Sequence, residues 1–212
     1  MTKYWFLNGI RRRILTEKDL SAYKNPGLLW PSRIEGHGEV KCPVDAISSG
    51  GWNSEKCIFC RRCVPSYTPT GDQEIYNTEK SDPVFRKSFH IFLVDSGTCG
   101  ACNTEINSIF APQYDANRLG IFVTSTPRDA DAIVVMGVYT EKMQEPLKRA
   151  IEAVPKPAIV IGLGACALSG GILGKNPLDR EVYFTRISGC PPSPYTIIRA
   201  LEEMRNRRRD GR

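Results

Sequence analysis

The residues of this chain best equipped for chemistry are its eight cysteines, which fall into two sets of four. The first set is Cys42, directly before Pro43, with Cys57, Cys60 and Cys63. A C-x-x-C-x-x-C run lets one short loop wrap three thiolates around a single iron-sulfur cube, and Cys42 is placed to supply the fourth ligand. The second set is Cys99-Gly-Ala-Cys102 with Cys166 and Cys190, spread over three stretches rich in glycine or proline. Its members can meet only in a folded domain. Together the sets predict two [4Fe-4S] clusters and electron transfer as the chemistry. Four cysteines also suit structural zinc, so a zinc-stabilised assembly module is the competing class; zinc modules usually present two close pairs, unlike either set here.

Elements must exist to position these ligands. A length of 212 residues accommodates one ordinary domain and a smaller appendage. We divide the chain into an arm over 1–35, a cluster-binding segment over 36–87 and an α/β domain over 88–212. From Ser88 onward apolar runs alternate with amphipathic segments, which predicts a mostly parallel sheet with helices on its faces. Strands are expected at His90–Asp95, Gly120–Thr124, Ala132–Gly137, Ala158–Gly162 and Val182–Ile187. Helices are expected at Cys102–Phe110, within Glu141–Val154 with Pro146 starting or interrupting it, and at Pro194–Asn206 with Ser193 as N-cap. Cys99 and Cys102 then follow the first strand, Cys166 the fourth and Cys190 the fifth. All four lie beyond carboxyl ends of strands, where open α/β sheets collect ligands. Cys102 falls near a helix amino end, whose free N–H groups favour an anion. Gly97, Gly100, Gly162, Gly164, Gly170, Gly171 and Gly189 are expected to let backbone approach the cluster. Gly162-Leu-Gly164 lacks the third glycine of a dinucleotide loop.

The remaining features bound the function. Lys and Arg number 29 against 23 Asp and Glu, a formal charge of +6 that bound clusters would reduce, so no nucleic-acid partner is expected. No apolar run reaches the roughly 20 residues that span a bilayer. Arg11-Arg12-Arg13 precedes polar residues rather than the apolar region of an export signal. The arm's Trp5, Phe6, Leu7 and arginines suit either an internal strap or a docking arm. The terminal run Arg205, Arg207, Arg208, Arg209 and Arg212 reads as a solvated helix end, with headgroup or nucleic-acid binding as its alternative. His37 and His90 have no metal-ligand spacing.

At the motif level a resemblance becomes specific. Asp95-Ser-Gly-Thr-Cys99-Gly-Ala-Cys102-Asn-Thr-Glu105, Pro112-Gln-Tyr-Asp115, Pro127-Arg-Asp-Ala-Asp131, Gly162-Leu-Gly-Ala-Cys166 and Gly189-Cys190-Pro-Pro-Ser-Pro194 occur in this order. The chain resembles the small subunit of [NiFe] hydrogenases, in the energy-converting, membrane-bound branch related to the 20-kDa subunit of respiratory NADH:quinone oxidoreductase. The resemblance implies a flavodoxin-like fold. It also implies a proximal [4Fe-4S] cluster on Cys99, Cys102, Cys166 and Cys190, facing a [NiFe] centre on a separate large subunit, and a proton-transfer role for Glu105. An alternative for Glu105 is a first-turn carboxylate that complements the helix dipole. Quinone-reducing relatives carry adjacent cysteines at the first motif, so Cys99-x-x-Cys102 favours the hydrogenase side. Asn103 stands where an acidic residue is common, and Ser193 where arginine is common. Residues 36–87 resemble a two-cluster ferredoxin that retains one ligand set, with Arg61 and Arg62 facing either an acidic electron donor or solvent. The implied setting is the cytoplasmic face of the cell membrane, with membrane-embedded and other iron-sulfur subunits as partners and soluble ferredoxin as electron donor or acceptor. An equivalent subunit of a quinone- or sulfur-reducing complex is the alternative.

Overall fold

A computed structural model describes residues 30–48, 51–64, 66–79, 85, 87–97, 99–138, 140–173 and 178–205. Residues 1–29 of the expected arm and the arginines beyond Arg205 lie outside them. A six-stranded sheet organises the larger part. Its strands are β5 (Tyr76–Thr78), β6 (Phe89–Asp95), β7 (Ile121–Val123), β8 (Ala132–Met136), β9 (Ile159–Leu163) and β10 (Thr185–Ile187), in the spatial order β5-β10-β9-β8-β6-β7. All neighbours run parallel except β5, which pairs antiparallel with β10. The five parallel strands follow the 2-1-3-4-5 order of flavodoxin-like doubly wound sheets. Strands β8 and β9 are buried at every position, as a parallel strand covered on both faces must be.

Helices α1 (Ala101–Ser108) and α4 (Pro194–Met204) cover one face, with Ile106, Ile197 and Leu201 packed against Ile91, Val134, Met136 and Ile161. On the other, α2 (Glu141–Ala153) and α3 (Gly164–Ser169) set Leu147 and Leu168 against Ile133, Val135 and Val160. Helix α2 runs through Pro146 without a break. Proline early in a helix removes few bonds, because the first amides have no intrahelical partner, and Met143, Leu147, Ala150 and Ile151 hold the helix on the sheet. Ser193 caps α4 as expected, its Oγ accepting from the Thr196 amide at 3.2 Å.

Three expectations need correction. The fifth strand spans only Thr185–Ile187, because Arg180–Val182 turns as a 3-10 segment. Helix α4 ends at Met204. Arg205 is not solvated but wholly buried: its Nε donates to the Phe85 carbonyl at 2.7 Å and Nη1 to the Leu119 carbonyl at 3.1 Å, beside the Phe89 ring.

Before the sheet, β1 (Ile34–Gly36) pairs with β4 (Tyr67–Pro69), and β2 (Ile47–Ser48) with β3 (Gly51–Trp52), as two short antiparallel ribbons. Strand β5 continues from them into the main sheet. Beyond that pairing, Tyr76 Oη donates to Glu203 Oε2 at 2.7 Å, Arg199 pairs with Glu74 at 2.8 Å and Thr196 Oγ1 donates to the Gln73 carbonyl at 2.9 Å.

Candidate iron-sulfur centres

Each cysteine of the second quartet leaves a strand's carboxyl end. Strand β6 ends at Asp95, whose Oδ1 accepts from the Gly97 amide at 2.8 Å and whose Oδ2 accepts from Asn103 Nδ2 at 2.7 Å. This carboxylate fixes the turn carrying Cys99 to the first turn of α1. It also supplies a physical reason for Asn103: an amide donates to Asp95, where a second carboxylate would repel it. Cys102 is the second residue of α1 and is buried, near the helix amino end as expected. Cys166 lies within α3 after β9, and Cys190 follows β10 in a loop joined to the start of α3 by the Ala165 amide donating to the Gly189 carbonyl at 2.8 Å.

The four thiols feel one another. Burial pushes the Cys102 thiol up to about 12, with further contributions from the charges of Cys166, Cys190, Cys99 and Asp95. Burial likewise raises Cys190 to about 11, with Cys166 and Cys99 adding to it, and raises Cys166 with help from Cys99. Ionising these thiols together would call for a cation among them, and loading one would expel protons. The surrounding backbone packs closely on the thiols. A Cβ on Gly164, at φ +87°, would lie 2.7 Å from Cys102 Sγ, and one on Gly171 would lie 2.9 Å from Cys166 Sγ. These two glycines make way for cysteine sulfur. Gly162 does not: it makes way for Leu168 and Tyr183 on the sheet.

The first quartet also converges. Cys42, Cys57, Cys60 and Cys63 line one pocket with Trp30, Ile34 and Phe59. The amides of Ala46 and Phe59 donate to Cys42 Sγ and Cys57 Sγ at 3.3 and 3.4 Å. Phe59 has φ 53°, a left-handed conformation costing on the order of 1 kcal/mol. Its buried ring, edge-on to Trp30 and Trp52, and the Trp30 Nε1 bond to its carbonyl at 3.0 Å hold it there. Burial raises Cys57, opposed by the hydrogen bond from the Phe59 amide and reinforced by Cys63 and Cys42; burial also raises Cys63, with Cys60 and Cys42 adding to it. A mononuclear zinc draws its ligands within about 2.3 Å of one point. Among the described residues no group of three or more His, Cys, Asp or Glu is arranged to hold a single metal ion. The all-thiolate donor sets suit an iron-sulfur cluster, and four-cysteine zinc as well.

The quartets are neighbours, since the residues just before Cys57 touch those just before Cys190. Sequence reasoning missed what joins them. Glu55 accepts from Arg180 at 2.8 and 3.0 Å and from Arg186 at 3.0 Å, and these partners hold its carboxyl below the usual range against the opposing effect of burial. Ser188 Oγ donates to Ser54 Oγ at 3.0 Å. No sequence signal marks contacts between residues so far apart.

Comparison with known proteins adds the lineage. Residues 99–204 match the family model described as NADH ubiquinone oxidoreductase, 20 Kd subunit, which is half of the chain and includes the whole second quartet. The chain belongs to this family. It is thereby a subunit of the oxidoreductase complexes that include hydrogenases and NADH dehydrogenase-like enzymes. Members of the 20-kDa subunit family bind a [4Fe-4S] cluster. An uncharacterized protein of Methanocaldococcus jannaschii is 41% identical over 124 residues, covering 56% of this chain and 84% of its own. The probable membrane-bound hydrogenase subunit mbhJ of Pyrococcus furiosus is 37% identical over 117 residues, 52% of this chain and 70% of that one. Formate hydrogenlyase subunit 7 of Escherichia coli is 39% identical over 122 residues, 53% of this chain and 47% of that one. The first quartet precedes the matched region.

Glu105 lies in the second turn of α1, not the first, because the helix begins at Ala101. The dipole explanation therefore weakens. It is partly buried, and that burial raises its carboxyl pKa.

Proposed function

We propose that this chain is the electron-transfer small subunit of a membrane-associated, [NiFe]-hydrogenase-like complex. It relays electrons between a low-potential carrier such as ferredoxin and a catalytic centre on a partner large subunit. Cys42, Cys57, Cys60 and Cys63 hold one [4Fe-4S] cluster within a ferredoxin-like segment over 36–87, tethered by β5, and Cys99, Cys102, Cys166 and Cys190 hold another within 88–212. The observation that carries the reading is the adjacency of two complete cysteine quartets in one chain. Each cluster, when bound, supplies one-electron redox chemistry. Cys60 is exposed on the first quartet and faces the carrier, with exposed Arg61 and Arg62 beside it. Cys99 and Cys190 are exposed on the second, near exposed Tyr195, while Ile172 and Leu173 expose apolar surface a few residues beyond Cys166. A large subunit covering that edge would bury this surface and exclude water from the ligands. No described helix is long and apolar enough to cross a membrane, which fits peripheral attachment through membrane-embedded partners at the cytoplasmic face.

Iron, acid-labile sulfide, zinc and nickel analysis of the purified complex tests this reading. The chain should contribute about eight irons with matching sulfide and a brown absorption, and nickel should reside on the large subunit. Zinc in a colourless chain would establish the assembly module instead. Iron without nickel in the complex would establish the quinone- or sulfur-reducing relative.

Glu105 is proposed to pass protons between solvent and the catalytic centre, a role its raised pKa supports. Glu105→Gln should slow proton-coupled turnover by about 100-fold while leaving both cluster spectra unchanged. Unchanged turnover would assign the carboxylate to solubility alone.

A further inference from the structure

The loop that opens the C-x-x-C-x-x-C run is fastened to the strand that leads to Cys190. Glu55 stands two residues before Cys57, and its side chain is only 14% exposed. Arg186 of β10, at 15% exposure, donates from Nε to Glu55 Oε1 at 3.0 Å and from Nη1 to the Tyr183 carbonyl at 3.2 Å. Arg180 completes the arrangement by donating Nε and Nη2 to the two carboxylate oxygens at 2.8 and 3.0 Å. One residue before Glu55, Ser54 meets Ser188 at 3.0 Å, two residues before Cys190. The carboxylate is thus held from two directions by planar guanidinium groups, which fix orientation as well as distance. Arg180 is 62% exposed, so the shielded part of the bridge is the Glu55–Arg186 pair, which solvent screens less than an exposed ion pair.

We infer that Glu55 is a positioning residue, which through Arg180 and Arg186 sets the separation of the two cysteine quartets and so of the redox centres they hold. The inference rests on the reading that both quartets carry clusters. The side-chain partners of Glu55 are Arg180 and Arg186, so its action on the quartets runs through them.

Electron paramagnetic resonance of the full chain with both centres reduced provides the test, because the magnetic interaction between two paramagnets falls steeply with their separation. The wild-type spectrum should show splitting or broadening from that interaction. Glu55→Ala should retain its iron and lose much of the splitting; Glu55→Gln, whose amide oxygen still accepts from one arginine, should keep more of it. The double variant Arg180→Gln/Arg186→Gln dismantles the same bridge without altering the first quartet's loop, and it should reproduce the loss even if Glu55→Ala fails to load its first site. Unchanged splitting in that double variant, with both clusters present, would overturn the positioning role and leave the two-cluster reading intact. Iron at only one quartet in the wild-type chain would overturn both.

Discussion

Cys102→Ser is expected to remove the cluster of the second quartet and leave the first in place, cutting bound iron by about half. Cys102 is the most buried of the eight thiols, held against Gly164 on one side and near the amino end of α1 on the other. A serine hydroxyl fits the same space, so the sheet should still fold, but it is a far harder and less acidic ligand than a thiol. The paramagnetic signal of the remaining centre should be seen alone, and electrons entering from the carrier should stop there. Hydrogenase-type turnover with the natural donor should therefore fall to background. Full iron content and turnover in this variant would show that Cys102 ligates nothing on the path.

The placement of the second quartet was legible because its signals are local. Apolar runs mark β6, β8 and β9, and each cysteine follows a strand within a few residues. The parallel order then brings those ends together, which makes convergence a consequence of topology rather than of any pair of residues. What escaped depends on distance or on brevity. Strand β5 is three residues long, too short for alternation to show, and joins the sheet only because β10 offers an edge. Glu55 lies more than a hundred residues before its arginine partners. Arg205 resembles its basic neighbours in composition, yet carbonyls of Phe85 and Leu119 claim it. Pro146 looked like a boundary because intrinsic propensity opposes it, whereas tertiary packing of α2 on the sheet prevails. Asn103 and Ser193 looked like departures from a family pattern, and each has a local structural employment, one on Asp95 and one at the cap of α4.

Cys42→Ser should act on the other centre, and its outcome tests the least obvious ligand assignment. Cys42 lies well before the C-x-x-C-x-x-C run, so nothing in that run requires it. In the fold its Sγ accepts from the Ala46 amide at 3.3 Å, and its charge is felt at both Cys57 and Cys63. With three thiolates left, one iron loses its thiolate and becomes labile, so the first centre should be lost or reduced to fewer irons. Total iron should drop by up to about half, matching the loss in Cys102→Ser but with the complementary signal surviving. The second centre should persist because the β5–β10 pairing and the Glu74–Arg199 bridge hold the lobe to the sheet independently of Cys42. An artificial reductant small enough to reach the second centre should still reduce it, while a protein carrier acting through the first should not. Disappearance of both signals, or of neither, would remove Cys42 from the ligand set and place the fourth ligand elsewhere.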